Sequence, residues 1–288
     1  MASGSSASVA LQAPNAVKQA VQLGIVRVRR NVEQANIPAL KDAYGNMQAR
    51  SENDNRSWIY WAEYHGFNRF DCWHHSSVGS QNFPYDLFLP WHRAYLLYWE
   101  RQALTANTGA ALPWWDWTSS VSHSVGIPAA FTSSQAGDAL ASGPVPAGLR
   151  TNPKRTRRNP GNPAGLPTAQ QVKHVIDDLT TFDDFSTQVQ GLHDGIHGWC
   201  GGDMGVVAAS AFDPIFWSHH CMIDRLWYLW QLKQGVDNIP PSYLTRTLAP
   251  FAVTVGDVLD IRKLGYSYGA TRILLPVQNF TPVALATP

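Results

Sequence analysis

Eight of the chain's ten histidines fall in two short segments, each built mostly of aromatic and aliphatic residues. The first runs from His65 through Cys72-Trp73-His74-His75 to Phe88-Leu89-Pro90-Trp91-His92-Arg93. The second runs from His193-Asp194-Gly195-Ile196-His197 to Asp213-Pro214-Ile215-Phe216-Trp217-Ser218-His219-His220, and on to Asp224-Arg225. Burying an imidazole is costly unless its nitrogens are bonded, and the neutral ring is the commonest protein ligand for a transition metal. Two sets of three histidines therefore point to a paired metal centre, and the chain must fold so as to bring both sets together.

Composition bounds the remaining choices. A chain of 288 residues, 44% hydrophobic and 15% charged, is an ordinary globular protein with room for one large core or two small ones. A formal charge of +1 gives no electrostatic reason to expect nucleic acid or an anionic membrane as partner. No apolar run approaches the length of a spanning helix. The start, Met1-Ala2-Ser3-Gly4-Ser5-Ser6, lacks the basic residues and apolar stretch of a signal peptide. The expectation is a cytoplasmic protein, or an exported one whose signal is absent from this chain. Three cysteines cannot all pair with one another, so disulfides do not organise the fold. Twelve tryptophans, most of them near the histidines, predict a rigid dry wall around the centre.

Along the chain, residues 1–20 read as a loose arm, 21–270 as the metal-binding domain and 271–288 as an extension. Val26 to Val32 alternates apolar and polar residues as a half-buried strand does. Helices are expected from Asn36 to Ala49, from Asn53 to Tyr64 with His65 at its end, and from about His92 to Leu104. Two more are expected from Asp183 to His197 and from Asp213, a capping residue followed by Pro214, to about Leu232. Residues 118–168 hold most of the Ser, Gly and Pro and read as a surface excursion, in which Lys154-Arg155-Thr156-Arg157-Arg158 is a solvated basic run. The tail from Tyr243 onward has short strand-like runs such as Thr271 to Leu275. The expected fold is mainly α: a central four-helix bundle holding the metals, with a few short peripheral strands and long loops.

His193 and His197 are four apart, share a helix face and can chelate one ion. His219 lies about 100° round the helix from His220, so the two are not expected on the same ion. Asp224, one turn after His220, can orient a ligand histidine by accepting a bond from its far nitrogen. Carboxylate-bridged di-iron bundles draw a Glu from each of several helices, and this chain has only Glu33, Glu52, Glu63 and Glu100. An all-imidazole set suits copper, which also heads the divalent affinity order.

Phe88-Leu89-Pro90-Trp91-His92-Arg93 followed by Glu100, and Asp213-Pro214-Ile215-Phe216-Trp217 followed by His220 and Asp224, closely resemble the two copper signatures of the tyrosinase family, which includes catechol oxidases and molluscan hemocyanins. Leu112-Pro113-Trp114-Trp115-Asp116-Trp117, Gly201-Gly202-Asp203-Met204 and Tyr266-Ser267-Tyr268 extend the resemblance from about Val26 to Tyr268. It implies two copper ions per chain, with dioxygen as co-substrate. One copper would be held by His65, His74 and His92, and the other by His193, His197 and His220. It also implies a thioether between Cys72 and His74. The seventeen residues between His74 and His92 exceed the family's usual eight, which leaves His75 as a rival to His74. Relatives that hydroxylate monophenols often carry a Glu before the first ligand of the second site and an Asn after it. The matching positions are Gln190 and Asp194, so either Asp194 serves as the base or monophenol activity is weak. Val207, thirteen residues before His220, matches a position where some plant relatives set a bulky Phe over the metal. It reads as a small open gate or simply as core.

The resemblance implies a copper oxidase that converts catechols to ortho-quinones, with some hydroxylation of monophenols and with small phenols as its partners. An ortho-aminophenol oxidase would use the same site. A hemocyanin-like oxygen carrier is the reading from a different class. Carriers cover the copper pair with an additional domain, for which little sequence follows Tyr268.

Overall fold

The computed structural model describes residues 27–69, 87–103, 109–152, 154–236 and 239–269. The loose arm, Cys72, His74, His75 and the strand-like run at 271–275 lie outside the described residues.

Helix boundaries follow local chemistry. The side chain of Asn36 accepts the Ala39 amide and starts α1 (Ile37–Gln48), which buries Leu40, Ala43, Tyr44 and Met47 at helical spacing. Ser57 caps α2 (Trp58–Ala62). This helix is shorter than the expected 53–64, because the polar run Ser51 to Arg56 turns instead, with the Ser57 amide donating to Asp54. His65 thus comes from a turn just beyond a short helix. The next helix, α3 (Phe88–Ala103), starts four residues before the expected His92 and buries nearly every side chain. Pro90 does not delimit it: in the first turn its missing N–H has no partner to lose.

Beyond the short α4 (Ser120–Val125) comes α5 (Ala169–Asp177), which was not foreseen. Its Thr168–Gln171 capping box is a readable start signal. Thr181 caps α6 (Phe182–Cys200), whose first turn carries Asp183 and Asp184 at the favourable end of the helix dipole. After α7 (Val207–Ser210), Asp213 caps α8 (Pro214–Gln234) by accepting the Ile215 amide. A last short helix, α9 (Pro241–Leu244), precedes β2 (Tyr266–Tyr268), which pairs in parallel with β1 (Arg27–Arg29). The strand expected over Val26 to Val32 is therefore three residues long among the described residues.

The fold is mainly helical, as expected. Helices α3, α6 and α8 pack on one another, with α5 against α6 and α8 and α1 against α3. These are the walls of the centre, and three of them, not four, carry its histidines. Behind the centre the tryptophans form the dry wall, Trp99 stacking on Trp217 at 4.1 Å between ring centroids. The 118–168 excursion contributes to the same core, burying Phe131, Leu140, Val145 and Leu166. Its basic run is only half solvated. Lys154 and Arg157 are exposed, but Arg155 reaches Gln48 and Ser142, and Arg158 pairs with Asp213 at the start of α8. No helix among the described residues is long and apolar enough to cross a membrane.

Candidate metal centre

Five of the six expected ligands meet in one place. His193 and His197 project from the same face of α6, His220 from α8 and His92 from α3, while His65 enters from the turn after α2. Nε2 of His220 lies 3.1 Å from that of His193 and 3.2 Å from that of His197. On its other side the His220 ring stacks on His92 at 4.5 Å, and His65 and His92 are 5.6 Å apart between centroids. His65, His92 and His220 form one group able to hold an ion, and His193, His197, His219 and His220 form a second.

The opposite ring nitrogens reveal the tautomers. Nδ1 of His92 meets the Phe88 carbonyl at 2.8 Å, that of His197 meets the Met204 carbonyl at 2.7 Å, and that of His65 meets the Val207 carbonyl at 3.0 Å. A carbonyl can only accept, so each Nδ1 carries the hydrogen and each Nε2 presents a lone pair. His193 gives its Nδ1 to the Asp194 carboxylate at 2.9 Å. Burial, reinforced by the neighbouring imidazoles, disfavours protonation throughout: His92 falls from 6.5 to about 3, His197 falls to about 4 through burial alone, and His65 and His220 fall well below their ordinary value. The His65, His92 and His197 lone pairs are thus turned inward around His220, whose Nδ1 has no hydrogen-bond partner among the described residues, and a cation among them would be met by neutral nitrogens. The donor set fits copper on this ground: neutral, pre-oriented, all nitrogen.

The other expected site residues divide. Gln190 is only 2% exposed, on α6 one turn before His193. Asp194 is half-buried and accepts the Nδ1 hydrogen of His193, on the side of that ring away from His220. Val207 is 43% exposed at the start of α7, so the core reading of this residue fails, and its carbonyl holds His65. Cys72 and His74 lie outside the described residues. Asp224 requires correction, because it does not serve a ligand histidine. Its carboxylate is taken up by Arg93, by Arg29 at 3.1 Å and by the Tyr266 hydroxyl at 2.8 Å. The turn of helix that separates it from His220 aims it away from the metals and toward the paired strands β1 and β2.

Two contributors were missed. His219 is buried with its ring parallel to His193 at 5.2 Å, close enough to join the second group. The 100° between it and His220 round α8 does not part them as expected: both belong to this group, with ring centroids 5.2 Å apart. The other is Met204, which acts through its carbonyl and so leaves no side-chain signal. The loop that carries it depends on glycine. Gly201 and Gly202 have φ of +58° and +55°, and a Cβ on Gly202 would lie 2.3 Å from the Arg157 carbonyl.

Comparison with known proteins gives this geometry a context. Residues 55–233, well over half of the chain, match the family model described as the common central domain of tyrosinase. A tyrosinase of Streptomyces lincolnensis is 30% identical over 199 residues, spanning 60% of this chain and 71% of that protein. Hemocyanin G-type units Oda to Odg of Enteroctopus dofleini are 28% identical over 285 residues, 84% of this chain but only 9% of that much longer protein. Among solved structures, a functional unit of octopus hemocyanin superposes with a TM-score of 0.70 at 23% identity, over 85% of this chain and 68% of that one. A tyrosinase from Burkholderia thailandensis gives 0.66 at 22%, over 86% and 74%. At these identities the structural likeness is one of fold.

Proposed function

The chain belongs to the tyrosinase family, whose centre holds a pair of copper ions, and from that premise we propose that it is an oxidase of ortho-diphenols. It would use dioxygen to turn catechols into ortho-quinones, with some ortho-hydroxylation of monophenols. The observation that carries this reading is the meeting of buried histidines in two groups, each able to hold an ion, with His65, His92 and His197 held by backbone carbonyls through Nδ1. The ligand sets proposed are His65, His74 and His92 for one ion and His193, His197 and His220 for the other. Bound copper would supply the electron exchange between dioxygen and the phenol.

The protein's own part is positioning and protection. Carbonyls at Phe88, Met204 and Val207 fix three rings by their Nδ1 hydrogens, so the ligands need no rearrangement during turnover. Phe216 lies 4.1 Å from the His220 ring and 4.7 Å from His65 between centroids, and with Phe88 it excludes water from the ligands' flanks. Val207, part-exposed, leaves room for an aromatic substrate ring. A catechol gives up two electrons and two protons and leaves as the quinone. A monophenol must first lose its hydroxyl proton, and Asp194, whose side chain is 39% exposed beside His193, is the group proposed to take it or to orient a water that does. Cys72 is proposed to be joined to His74, which peptide mass analysis would reveal as a crosslinked fragment lighter by two hydrogens.

The likeness to hemocyanins favours one other reading, reversible carriage of dioxygen. Purified protein loaded with copper should contain close to two ions per chain and release quinone from a catechol. It should do so faster than from the matching monophenol, and an ortho-aminophenol assayed beside them would rank the third substrate. Dioxygen uptake that reverses on degassing, with no quinone formed, would replace the oxidase by the carrier. One ion per chain, or iron or zinc in an active sample, would overturn the paired-copper assignment.

A further inference from the structure

A connected line of aromatic rings, all oxidisable except the bridging Phe251, leads from the metal centre to the surface. The Trp91 ring lies 4.8 Å from His92 and 5.0 Å from Tyr95 between centroids, and both residues are fully buried. The Tyr95 hydroxyl donates to the Trp61 carbonyl at 2.6 Å. Phe251 bridges Tyr95 and Tyr64, at 6.2 Å from one and 6.3 Å from the other, and Trp61 lies 5.6 Å from Tyr64. The Tyr64 hydroxyl donates to the Tyr60 hydroxyl at 3.3 Å. Tyr60 is half-buried, with the guanidinium of the exposed Arg69 over its ring at 3.8 Å. Every step is within the ~4.5–7 Å range in which aromatic rings touch.

Tryptophan and tyrosine are among the side chains most easily oxidised by one electron. Electron tunnelling weakens steeply with distance, so several short steps between touching rings outrun a single long one. A phenol yields its electron readily only if its proton can leave as well, and this separates two branches at Tyr95. One goes through Trp217 at 5.1 Å and Trp99 at 4.1 Å to Tyr44 at 5.1 Å, deep in the core. There the Tyr44 hydroxyl and both indole N–H groups are buried without a hydrogen-bond partner among the described residues. Charge sent that way has nowhere to leave its proton. In the other branch each hydroxyl named has an acceptor, and Tyr60 reaches water. The Arg69 cation above Tyr60 further disfavours a positively charged ring, so proton and electron leave together.

We propose that Trp91, Tyr95, Tyr64 and Tyr60 form a protective relay that drains an oxidising equivalent from the copper centre when no phenol is bound. One electron passes inward from Tyr60 to Tyr64, tunnels across the Phe251 ring to Tyr95 and goes on to Trp91, and the centre is reduced by that electron. Tyr60 releases its phenolic proton to water and becomes a neutral phenoxyl radical. A soluble thiol then returns a hydrogen atom to Tyr60, is itself oxidised and ends as a disulfide. The ligand histidines are spared the oxidation. The relay rests on the oxidase reading, because that chemistry supplies the oxidant.

The test uses copper-loaded protein without phenol, treated with hydrogen peroxide and a nitroso spin trap, then digested and mapped by mass spectrometry beside copper-free protein. The expected result is a copper-dependent adduct on Tyr60 that glutathione suppresses. Tyr60→Phe should move the adduct to Tyr64 and shorten the half-life of catechol turnover under peroxide. Adducts that follow solvent exposure alone and form equally without copper would overturn the relay. So would half-lives unchanged in both Tyr60→Phe and Tyr64→Phe. Copper content and initial catechol turnover, measured on the same sample, separate the two readings. Their loss takes down the oxidase reading and the relay with it, while their presence with adducts elsewhere takes down the relay alone.

Discussion

Asp194 joins two roles that a single substitution can separate. Its carboxylate accepts the Nδ1 hydrogen of His193 at 2.9 Å, and it is also exposed enough to meet a substrate. Asparagine keeps an oxygen that accepts from Nδ1 but cannot take a proton. A phenol has a pKa of about 10, so monophenol turnover in Asp194→Asn should fall relative to catechol turnover by about 10²-fold, with copper content unchanged. Asp194→Ala removes the orienting bond too, and copper affinity should then drop by about 10–100-fold, as measured by competition with a chelator. Gln190→Glu places a carboxyl in a buried position where its pKa is raised, and the monophenol-to-catechol ratio should rise. A ratio indifferent to both Asp194→Asn and Gln190→Glu would move the search for the base elsewhere. The depressed histidine pKa values make a second prediction for copper-free protein. From about 6.5 downward the unfolded chain takes up protons at His92 and His197, whereas the folded chain does so only near 3 and 4. The unfolded state therefore holds more protons across that window, and stability must fall as pH falls through it. Thermal unfolding midpoints should decline from about pH 6.5 to pH 4, and His197→Gln should flatten the decline. The histidines were legible in the sequence because an imidazole in an apolar run has few other uses. Asp224 was misread because helical spacing gives proximity in sequence but not the direction in which a carboxylate points.

The elements that read most clearly from sequence were those with caps and a sustained apolar pattern, such as Asn36 before α1, Thr181 before α6 and Asp213-Pro214 before α8. The errors were at breakers. Helix α3 begins at Phe88, not at about His92, with Pro90 inside its first turn, and the Thr168–Gln171 capping box announces α5 within a stretch that otherwise reads as loop. The loop from Gly201 to Met204 was recognised only as a resemblance, because its work is done by a backbone carbonyl. That loop predicts a local failure. Alanine at Gly202 would be strained at φ +55° and would press its Cβ on the Arg157 carbonyl. Asp203 cannot then stay where Arg150 grips it at 2.7 Å and 2.8 Å and the Arg157 amide at 2.6 Å. Gly202→Ala should destabilise the protein by up to about 3 kcal/mol and release the Met204 carbonyl from His197, so the copper-to-protein ratio should fall. Gly198→Ala is the control. That residue sits in α6 next to His197, with nothing within 4 Å of an added Cβ, and both stability and copper content should be unchanged or slightly improved. Equal copper retention in the two variants would show that the loop does not govern His197.

At the scale of the whole molecule, the metals and the β1–β2 pair are tied down by separate devices that share helix α8. His220 faces the centre, while one turn later Asp224 faces a buried hub. Arg29 of β1 bonds Glu100 of α3 at 2.7 Å and Asp224 at 3.1 Å; Arg93 of α3 and the Tyr266 and Tyr268 hydroxyls of β2, at 2.8 Å and 2.5 Å, also bond the Asp224 carboxylate. Burial works against the ionised carboxylate, and the Arg93 and Arg29 guanidiniums overcome it, holding Asp224 below its usual range. Asp224→Asn would leave two guanidiniums buried with one carboxylate between them, a loss of about 3–5 kcal/mol by the general cost of breaking a buried pair. Copper adds stability by a different route, mass action on the folded state, which reaches about 2.7 kcal/mol when free metal is a hundredfold above its Kd. If hub and centre are independent, Asp224→Asn should lower the unfolding midpoint of the copper-free and the copper-loaded protein alike, and the gain on adding copper should survive. His197→Ala should show the opposite pattern, keeping the copper-free midpoint and losing the gain. Sites that share no partners are expected to add. A copper increment that vanishes in Asp224→Asn would instead mean that joining β1 and β2 to α3 and α8 is what aligns these helices, and so sets His92 against His220.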